Sequence, residues 1–172
     1  MADNQKNHIV LVGFMGTGKS TVSQQLAKRL DCESVDVDCE IESREGQSIA
    51  EIFAGRGEEA FRQTETAVLV DVLGSRERKV VATGGGAVLD PRNCDMMLNH
   101  ALVVALTADA HQIISRVSHD SSRPLLQGDL KLRVNRLLED RKHAYDFADL
   151  TIDTTRLNVH EVVDAIIACL KQ

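Results

Sequence analysis

The chain has 172 residues, 43% of them hydrophobic and 27% charged, and a formal net charge of −6, which fits one domain with a substantial core. The acidic charge argues against binding of nucleic acid, and the sequence has neither an apolar run of the ~20 residues that span a membrane nor the apolar core of a signal peptide. We therefore expect a single domain over residues 1–172 that acts in the cytoplasm, with no nucleic-acid or membrane partner.

The first predicted element is an apolar strand over residues 9–12, followed by a G-x-x-x-x-G-K-S motif from Gly13 to Ser20 and then by a helical pattern. This strand–loop–helix context is what a phosphate-binding loop requires. Backbone N–H groups of the glycine-rich turn can surround phosphate oxygens at the positive end of the helix dipole. Lys19 can reach the β- and γ-phosphates, and the Ser20 hydroxyl can ligate Mg²⁺. The alternative, a glycine-rich turn with an incidental lysine, does not explain the flanking elements.

Strand-like and helix-like segments alternate along the rest of the chain. Short apolar runs, typical of strands buried on both faces, lie at residues 34–37, 80–82, 102–106 and 150–152. Helices are predicted from Ser48, where Glu51 completes a capping box, from about 58 to 73, after Asp90-Pro91, and on apolar stripes at 130–138 and 162–170. The alternation predicts right-handed βαβ crossovers and a parallel sheet covered by helices on both faces.

Residues 118–129 interrupt this pattern, because they are polar, contain Pro and Gly, and show no hydrophobic periodicity. A loop of this length in a small domain is often a functional lid. Arg123 lies within it, next to Pro124. We therefore expect a lid that carries an arginine.

Asp36 and Asp38 end a predicted strand, and open α/β sheets bind ligands at the carboxyl ends of their strands. If the strand continues through both residues, the two carboxylates share one face. One could then orient Mg²⁺ or its waters while the other accepts a proton from an attacking hydroxyl. A solvated strand end or a helix N-cap remains the alternative.

A glycine triplet and several arginines are further candidates for ligand binding at the carboxyl ends of the strands. Three glycines follow the strand at 80–82 and suit a close approach of the backbone to a ligand, although a plain tight turn is the alternative. Arginine binds carboxylate and phosphate groups in a bidentate manner, but a solvated surface role is the default for any single one. The candidates are Gly84, Gly85, Gly86, Arg62, Arg123 and Arg141.

Seven short motifs occur in order along nearly the whole chain: G-F-M-G-T-G-K-S-T, D-V-D-C-E-I-E, G-Q-S-I-A-E-I-F, G-E-E-A-F-R, A-T-G-G-G-A-V, R-P-L-L and R-K-H-A-Y. In this combination they resemble the shikimate kinase family. The resemblance implies a three-layer P-loop NTPase fold with a five-stranded parallel sheet, similar to nucleotide monophosphate kinases, and a mobile lid at about 118–129. It also implies transfer of the ATP γ-phosphoryl group to the 3-hydroxyl of shikimate, in the pathway to chorismate and the aromatic amino acids.

The resemblance further implies roles for individual residues. The catalytic residues would be Lys19, Asp38 and Arg123, with Asp38 as the base at the 3-hydroxyl. Shikimate would be bound by Asp38, Arg62, Gly84, Gly85, Gly86 and Arg141, the two arginines clamping its carboxylate. ATP, the co-substrate, would be bound by Gly16, Thr17, Gly18, Lys19, Ser20, Thr21, Arg116, Arg123 and Arg156. One Mg²⁺ per subunit would be held by Ser20 and Asp36.

The chain departs from the family pattern in three places. Ser34-Val35 stands where an aromatic residue often precedes D-x-D, R-K-H-A-Y replaces R-x-P-L-Y, and Val159 lies near where some relatives stack adenine on a proline.

Two other functions stay open: another small-metabolite kinase, such as a gluconate-type or nucleotide kinase, and a non-catalytic nucleotide-binding protein. The latter would be expected to have lost Lys19, Asp38 or Arg123. No long apolar surface stripe stands out, so a monomer is expected.

Overall fold

Five parallel strands form the centre of the molecule in a computed structural model that describes residues 6–118 and 129–171. They are β1 His8–Gly13, β2 Glu33–Asp36, β3 Lys79–Ala82, β4 Ala101–Thr107 and β5 Leu150–Asp153, in the spatial order β2-β3-β1-β4-β5. The central strand β1 is buried along its whole length and pairs with β3 and β4. The predicted sheet is confirmed, and each strand ends within one residue of its predicted position.

Helices join the strands and cover the sheet. They are α1 Lys19–Leu30, α2 Val37–Glu45, α3 Ile49–Leu73, α4 Pro91–His100, α5 Ala110–Val117, α6 Leu130–Asp140 and α7 Val159–Leu170. The predicted capping box of Ser48 and Glu51 and the predicted Asp90-Pro91 start are confirmed. The two helices predicted around residue 57 run on as α3, with a bend where Gly57 takes φ 84°.

The predicted strand position of Asp38 is wrong. Asp36 ends β2, and Val37 begins α2, so Asp38 lies in the first turn of a helix and shares no strand face with Asp36. The side chain of Asp36 accepts a hydrogen bond from the Cys39 N–H at 3.1 Å, which is the N-cap alternative. The helix gives a weak sequence signal because it buries only Val37 and Ile41.

The core lies on both faces of the sheet, because side chains alternate along each strand. On β1, Val10 and Val12 pack on the cluster that includes residues of α2, α3 and α4, whereas Ile9 and Leu11 pack on the cluster that includes α1 and α7. A third, smaller cluster joins Phe14 and its neighbour in the loop to α5 and α6. The predicted three-layer architecture is therefore confirmed.

Residues 119–128 lie outside the described residues, and with them most of the predicted lid and Arg123. The two ends of that segment are described: Ser118 follows α5, and the Asp129 side chain caps α6 by accepting from the Leu132 N–H at 3.1 Å. Within residues 6–118 and 129–171, no helix combines the length and the apolar character needed to cross a membrane.

Candidate active site

The glycine-rich loop follows β1 at the carboxyl edge of the sheet. Gly13, Gly16 and Gly18 have φ values of 147°, 78° and 93°, which side chains disfavour. A Cβ on Gly13 would also lie 2.3 Å from the Leu106 carbonyl oxygen, so only glycine fits there. Gly18 is the N-cap of α1, so the unpaired N–H groups and the positive dipole end of this helix lie at the loop. The loop thus has the geometry of an anion-binding turn.

Lys19 is the buried cation of this loop. Its Nζ donates to the carbonyl oxygens of Gly13 at 2.8 Å and Phe14 at 2.9 Å, and the residue is 8% exposed. Thr17 Oγ1 donates to the same Phe14 oxygen at 2.8 Å. These bonds keep the positive charge at the turn where phosphate oxygens would bind.

Two side-chain oxygens lie together beside the loop. Ser20 Oγ donates to Asp36 Oδ2 at 2.5 Å, and such oxygen atoms are the ligands that Mg²⁺ prefers. Within the described part of the chain, no group of three or more His, Cys, Asp or Glu side chains could hold a metal ion. The pair of oxygens from Ser20 and Asp36 fits Mg²⁺, which takes one or two protein ligands and completes its shell with phosphate oxygens and water.

Two cavities meet at this edge of the sheet. The smaller, of about 250 Å³, is lined by residues of the glycine-rich loop and by Arg116; the larger, of about 390 Å³, includes Phe53, Phe61 and Arg141 in its wall. Both cavities are lined by Ser20, Asp36, Asp38, Gly84 and Gly85. The two cavities therefore adjoin along these five residues, so molecules bound in them can contact each other. The carboxylates of Asp36 and Asp38 lie at this boundary.

The last two glycines of the triplet lie against arginines. A Cβ on Gly86 would lie 2.3 Å from Arg62 Nη2, and a Cβ on Gly85 would lie 3.3 Å from Arg141 Nη1. Neither glycine has a positive φ, so the space that the guanidinium groups occupy, and not the backbone, accounts for the missing side chain at Gly86. The sequence predicted that these glycines allow a close approach of the backbone to a ligand. In the structure, Gly85 and Gly86 approach the protein's own arginines.

Gly84 lies against two carboxylates. A Cβ there would be 2.9 Å from Asp38 Oδ1 and 3.2 Å from Glu65 Oε2. Glu65 is fully buried and forms an ion pair with Arg62 at 3.0 Å, yet burial raises its pKa from 4.5 to about 7, with Asp38 adding to the rise and the two arginines opposing it. Among the described residues, Glu65 Oε2 has no hydrogen-bond partner. Glu65 thus holds Arg62 in place at an electrostatic cost.

Arg141 is the second buried arginine of the site. It follows α6, is 6% exposed, and its guanidinium carbon lies 5.9 Å from the centre of the Phe14 ring. Its Nη1 atom has no hydrogen-bond partner among the residues that the structure describes. A buried donor of this kind favours an anionic partner.

Most of the predicted site residues are brought together. The smaller cavity is lined by Gly16, Gly18, Lys19, Ser20, Thr21 and Arg116, while Thr17 is buried in the loop. The larger cavity is lined by Asp38, Arg62, Gly84, Gly85, Gly86 and Arg141. Arg156 is exposed and lines neither of these cavities. Arg123 falls outside the described residues.

Several residues of the site were not predicted. Glu65, Phe53 and Phe61 line the larger cavity, and the two rings lie 4.9 Å apart. The spacing of Arg62 and Glu65 is visible in the sequence, but the burial of the carboxylate is not. The aromatic residues look like ordinary members of an apolar helix stripe.

Comparison with known proteins decides the family. A family model described as shikimate kinase matches residues 15–171. The chain belongs to the shikimate kinase family. It is 43% identical to a shikimate kinase of Pelotomaculum thermopropionicum, with 96% of each chain covered, and 45% identical to one of Geobacter sulfurreducens, with 96% of this chain and 91% of that one covered.

Solved structures agree with this family. A shikimate kinase from Acinetobacter baumannii in complex with shikimate superposes with a TM-score of 0.91 at 34% identity, covering 98% of this chain and 95% of that one. A gluconokinase from Sinorhizobium meliloti, at 18% identity and a TM-score of 0.62, shares the fold alone. The predicted family and the predicted P-loop kinase fold are confirmed, and the chain is an ATP-dependent phosphotransferase.

Proposed function

We propose that this chain transfers the γ-phosphoryl group of ATP to the 3-hydroxyl of shikimate, giving shikimate 3-phosphate and ADP. Relatives of similar length and over 40% identity are named shikimate kinases, and one similar structure holds shikimate. The observation that carries the proposal is the pair of cavities with a shared wall. A phosphate-binding loop opens into one cavity, and two buried or half-buried arginines face the other.

In the larger cavity, Arg62 and Arg141 would bind the shikimate carboxylate. Arg62 is held by Glu65 at 3.0 Å and lies 5.1 Å from the Phe61 ring, so its guanidinium is fixed before substrate arrives. The Nη1 donor of Arg141 would gain the anionic partner that the described residues do not supply. Aromatic side chains in the same wall would pack against the carbon ring, which suits a cyclic carboxylate.

At the shared wall, Asp38 would accept the proton of the 3-hydroxyl. Phosphoryl transfer needs alignment and neutralisation of charge more than covalent help from the protein. Asp38 faces both cavities, so it can orient the hydroxyl toward a γ-phosphate in the smaller one. The charge of Lys19 would stabilise the transferring group on the opposite side.

In the smaller cavity, the glycine-rich loop would hold the phosphates of ATP, with Mg²⁺ bound to Ser20 and Asp36 and supplying positive charge to the β- and γ-phosphates. Arg116 Nη1 donates to the Gly16 carbonyl at 2.9 Å, which holds its guanidinium beside the loop, and by the family resemblance this group would lie against adenine. Arg123 and the exposed Arg156 remain candidates for nucleotide contacts. A monomer in the cytoplasm without a nucleic-acid or membrane partner is part of the same proposal, and the acidic net charge of −6 argues against the binding of nucleic acid.

A coupled assay of ADP release tests this function. Acceptors at millimolar concentration are shikimate, quinate, gluconate and nucleoside monophosphates, each with and without Mg²⁺. We expect Mg²⁺-dependent ADP release that rises sharply with shikimate alone. A clear response to gluconate or a nucleotide beside no response to shikimate would overturn the assignment, and equal ADP release without any acceptor would point to simple ATP hydrolysis.

A further inference from the structure

The geometry points to Tyr145 as a positioning residue of the acceptor cavity: its hydroxyl fixes the Gly85 peptide and lies beside the guanidinium of Arg141, so it holds that guanidinium both through the peptide and directly. This inference rests on the function proposed above, because Arg141 is there a ligand of the shikimate carboxylate. Tyr145 itself is not among the residues that line the larger cavity. It would act through its neighbours and not by touching substrate.

The first observation is a hydrogen bond between distant parts of the chain. Tyr145 Oη donates to the Gly85 carbonyl oxygen at 2.7 Å across 60 positions of sequence, a distance typical of a well-formed O–H···O bond. Burial raises the pKa of the Tyr145 phenol above its ordinary value of 10, so the hydroxyl keeps its proton and remains a donor throughout the physiological range. The turn that carries Gly85 is therefore tied to the segment after α6.

The second observation is the contact between that turn and Arg141. The guanidinium lies between the Phe14 ring, 5.9 Å from its centre, and Gly85, where a Cβ would come within 3.3 Å of Nη1. No ion pair to a carboxylate is recorded for Arg141 among the described residues, in contrast to Arg62, which Glu65 holds at 3.0 Å. The Phe14 ring, the glycine turn and the neighbouring Tyr145 hydroxyl therefore set the position of Arg141.

The third observation is that Tyr145 and Arg141 share one compact turn. The Ala144 N–H donates to the Arg141 carbonyl at 2.9 Å, and the Ala148 N–H donates to the Tyr145 carbonyl at 3.3 Å. The half-buried Tyr145 ring also packs against the cluster that contains Phe14. The backbone turn links Arg141 to Tyr145, the Tyr145 hydroxyl binds Gly85, and Gly85 contacts the Arg141 guanidinium. The single hydroxyl bond therefore connects the turn of Arg141 to the surface against which its guanidinium packs.

Loss of this bond should change acceptor binding and little else. The carboxylate takes no part in the bonds that form and break, so its contact with Arg141 is made equally in the ground state and the transition state, and weakening it should raise KM with kcat unchanged. We expect Tyr145→Phe to raise the KM for shikimate about tenfold, the size of effect that one lost hydrogen bond gives. The KM for ATP and kcat should change less than about twofold, because the phosphate-binding loop keeps its own contacts.

The test compares Tyr145→Phe with Thr66→Val. Thr66 is half-buried on α3, lines neither cavity, and its hydroxyl donates to Asn93 Oδ1 at 3.1 Å, so this control also removes one hydroxyl hydrogen bond. Both KM values, kcat and the thermal midpoint are measured for each variant. Unchanged shikimate KM in Tyr145→Phe overturns the inference. A second outcome also overturns it: kcat falls and both KM values rise in proportion to the loss in thermal midpoint, in Tyr145→Phe as in the control. That pattern would indicate a merely structural role for Tyr145.

A double-mutant cycle with Arg141→Lys tests the route of action. If Tyr145 acts through Arg141, the two substitutions together should raise the shikimate KM by clearly less than the product of their separate effects. Fully multiplicative effects would show that Tyr145 acts on another part of the site and would overturn the inference. A wild-type chain that is inactive with shikimate would overturn the proposed function and this inference with it, so the two failures are distinguishable.

Discussion

The buried carboxyl group of Glu65 leads to a measurable prediction about stability. Burial raises its pKa from 4.5 to about 7 in the folded chain, although Arg62 and Arg141 oppose the rise. The folded chain therefore binds this proton more tightly than the unfolded chain, and the stability that Glu65 contributes is fully present below pH 4.5 and is lost as the pH rises toward 7. The difference between the two pKa values corresponds to about 3 kcal/mol, of which about 2.5 kcal/mol falls between pH 5 and pH 8.

Glu65→Gln isolates this contribution, because glutamine has nearly the same shape and no proton to lose. We expect the free energy of unfolding of the wild type, minus that of the variant, to fall by about 2.5 kcal/mol from pH 5 to pH 8. Urea unfolding followed by circular dichroism at pH 5, 6, 7 and 8 measures both, and it suits a chain without tryptophan. Other titrating groups are common to both chains and cancel in the difference.

Glu58→Gln is the matched control. Glu58 is exposed and contacts the same arginine, Arg62, at 3.3 Å, and an exposed ion pair contributes little to stability. The difference in unfolding free energy between the wild type and Glu58→Gln should change by less than about 0.5 kcal/mol over the same pH range. The reasoning would be refuted if the difference in unfolding free energy between the wild type and Glu65→Gln stayed constant with pH, or if it grew in favour of the wild type as the pH rose. Glu65 would then be ionised throughout as the partner of Arg62.

Three further predictions concern activity. Lys19→Ala should lower kcat more than tenfold with an unchanged circular dichroism spectrum, because the proposed function assigns its charge to the transferring phosphate. Retention of more than about a tenth of kcat, a loss under ~1.4 kcal/mol, would contradict this role. Asp38→Asn should lower kcat much more than it weakens ATP binding, measured by titration, and equal losses would argue against a proton acceptor. Gly86→Ala places a Cβ 2.3 Å from Arg62 Nη2, so the shikimate KM should rise. Gly55→Ala should leave it unchanged, because beyond the chain neighbours and the helix's own backbone the added Cβ would meet no atom within 4 Å.

The sheet could be predicted from the sequence because each strand is a short, β-branched apolar run between polar turns. Residues 9–12 and 80–82 are examples: β1 extends one residue further at each end, and β3 extends one residue further at its start only. The helix α2 could not be predicted in this way, since two buried residues make no readable stripe. There the N-cap preference of Asp36 outweighed the apparent continuation of β2.

The site could be predicted where it is local in sequence. The glycine-rich loop needs only a strand, a turn and a helix start in succession, so its residues are readable directly. The contact of Glu65 with Gly84 and the bond from Tyr145 to Gly85 join segments far apart along the chain. Their effect depends on burial, which spacing does not reveal, and the sequence therefore predicted the arginines but not the groups that hold them.

The central claim is that Arg62 and Arg141 bind the acceptor carboxylate, and it is tested most directly by changing the substrate and the arginine together. The kcat/KM values of the wild type and of Arg62→Lys are measured with shikimate and with its uncharged methyl ester. The account predicts that Arg62→Lys lowers kcat/KM for shikimate at least about tenfold, because a point charge replaces a bidentate fork, while the poor activity with the ester hardly changes. An equal loss with both substrates would contradict the account, since Arg62 would then act without the carboxylate.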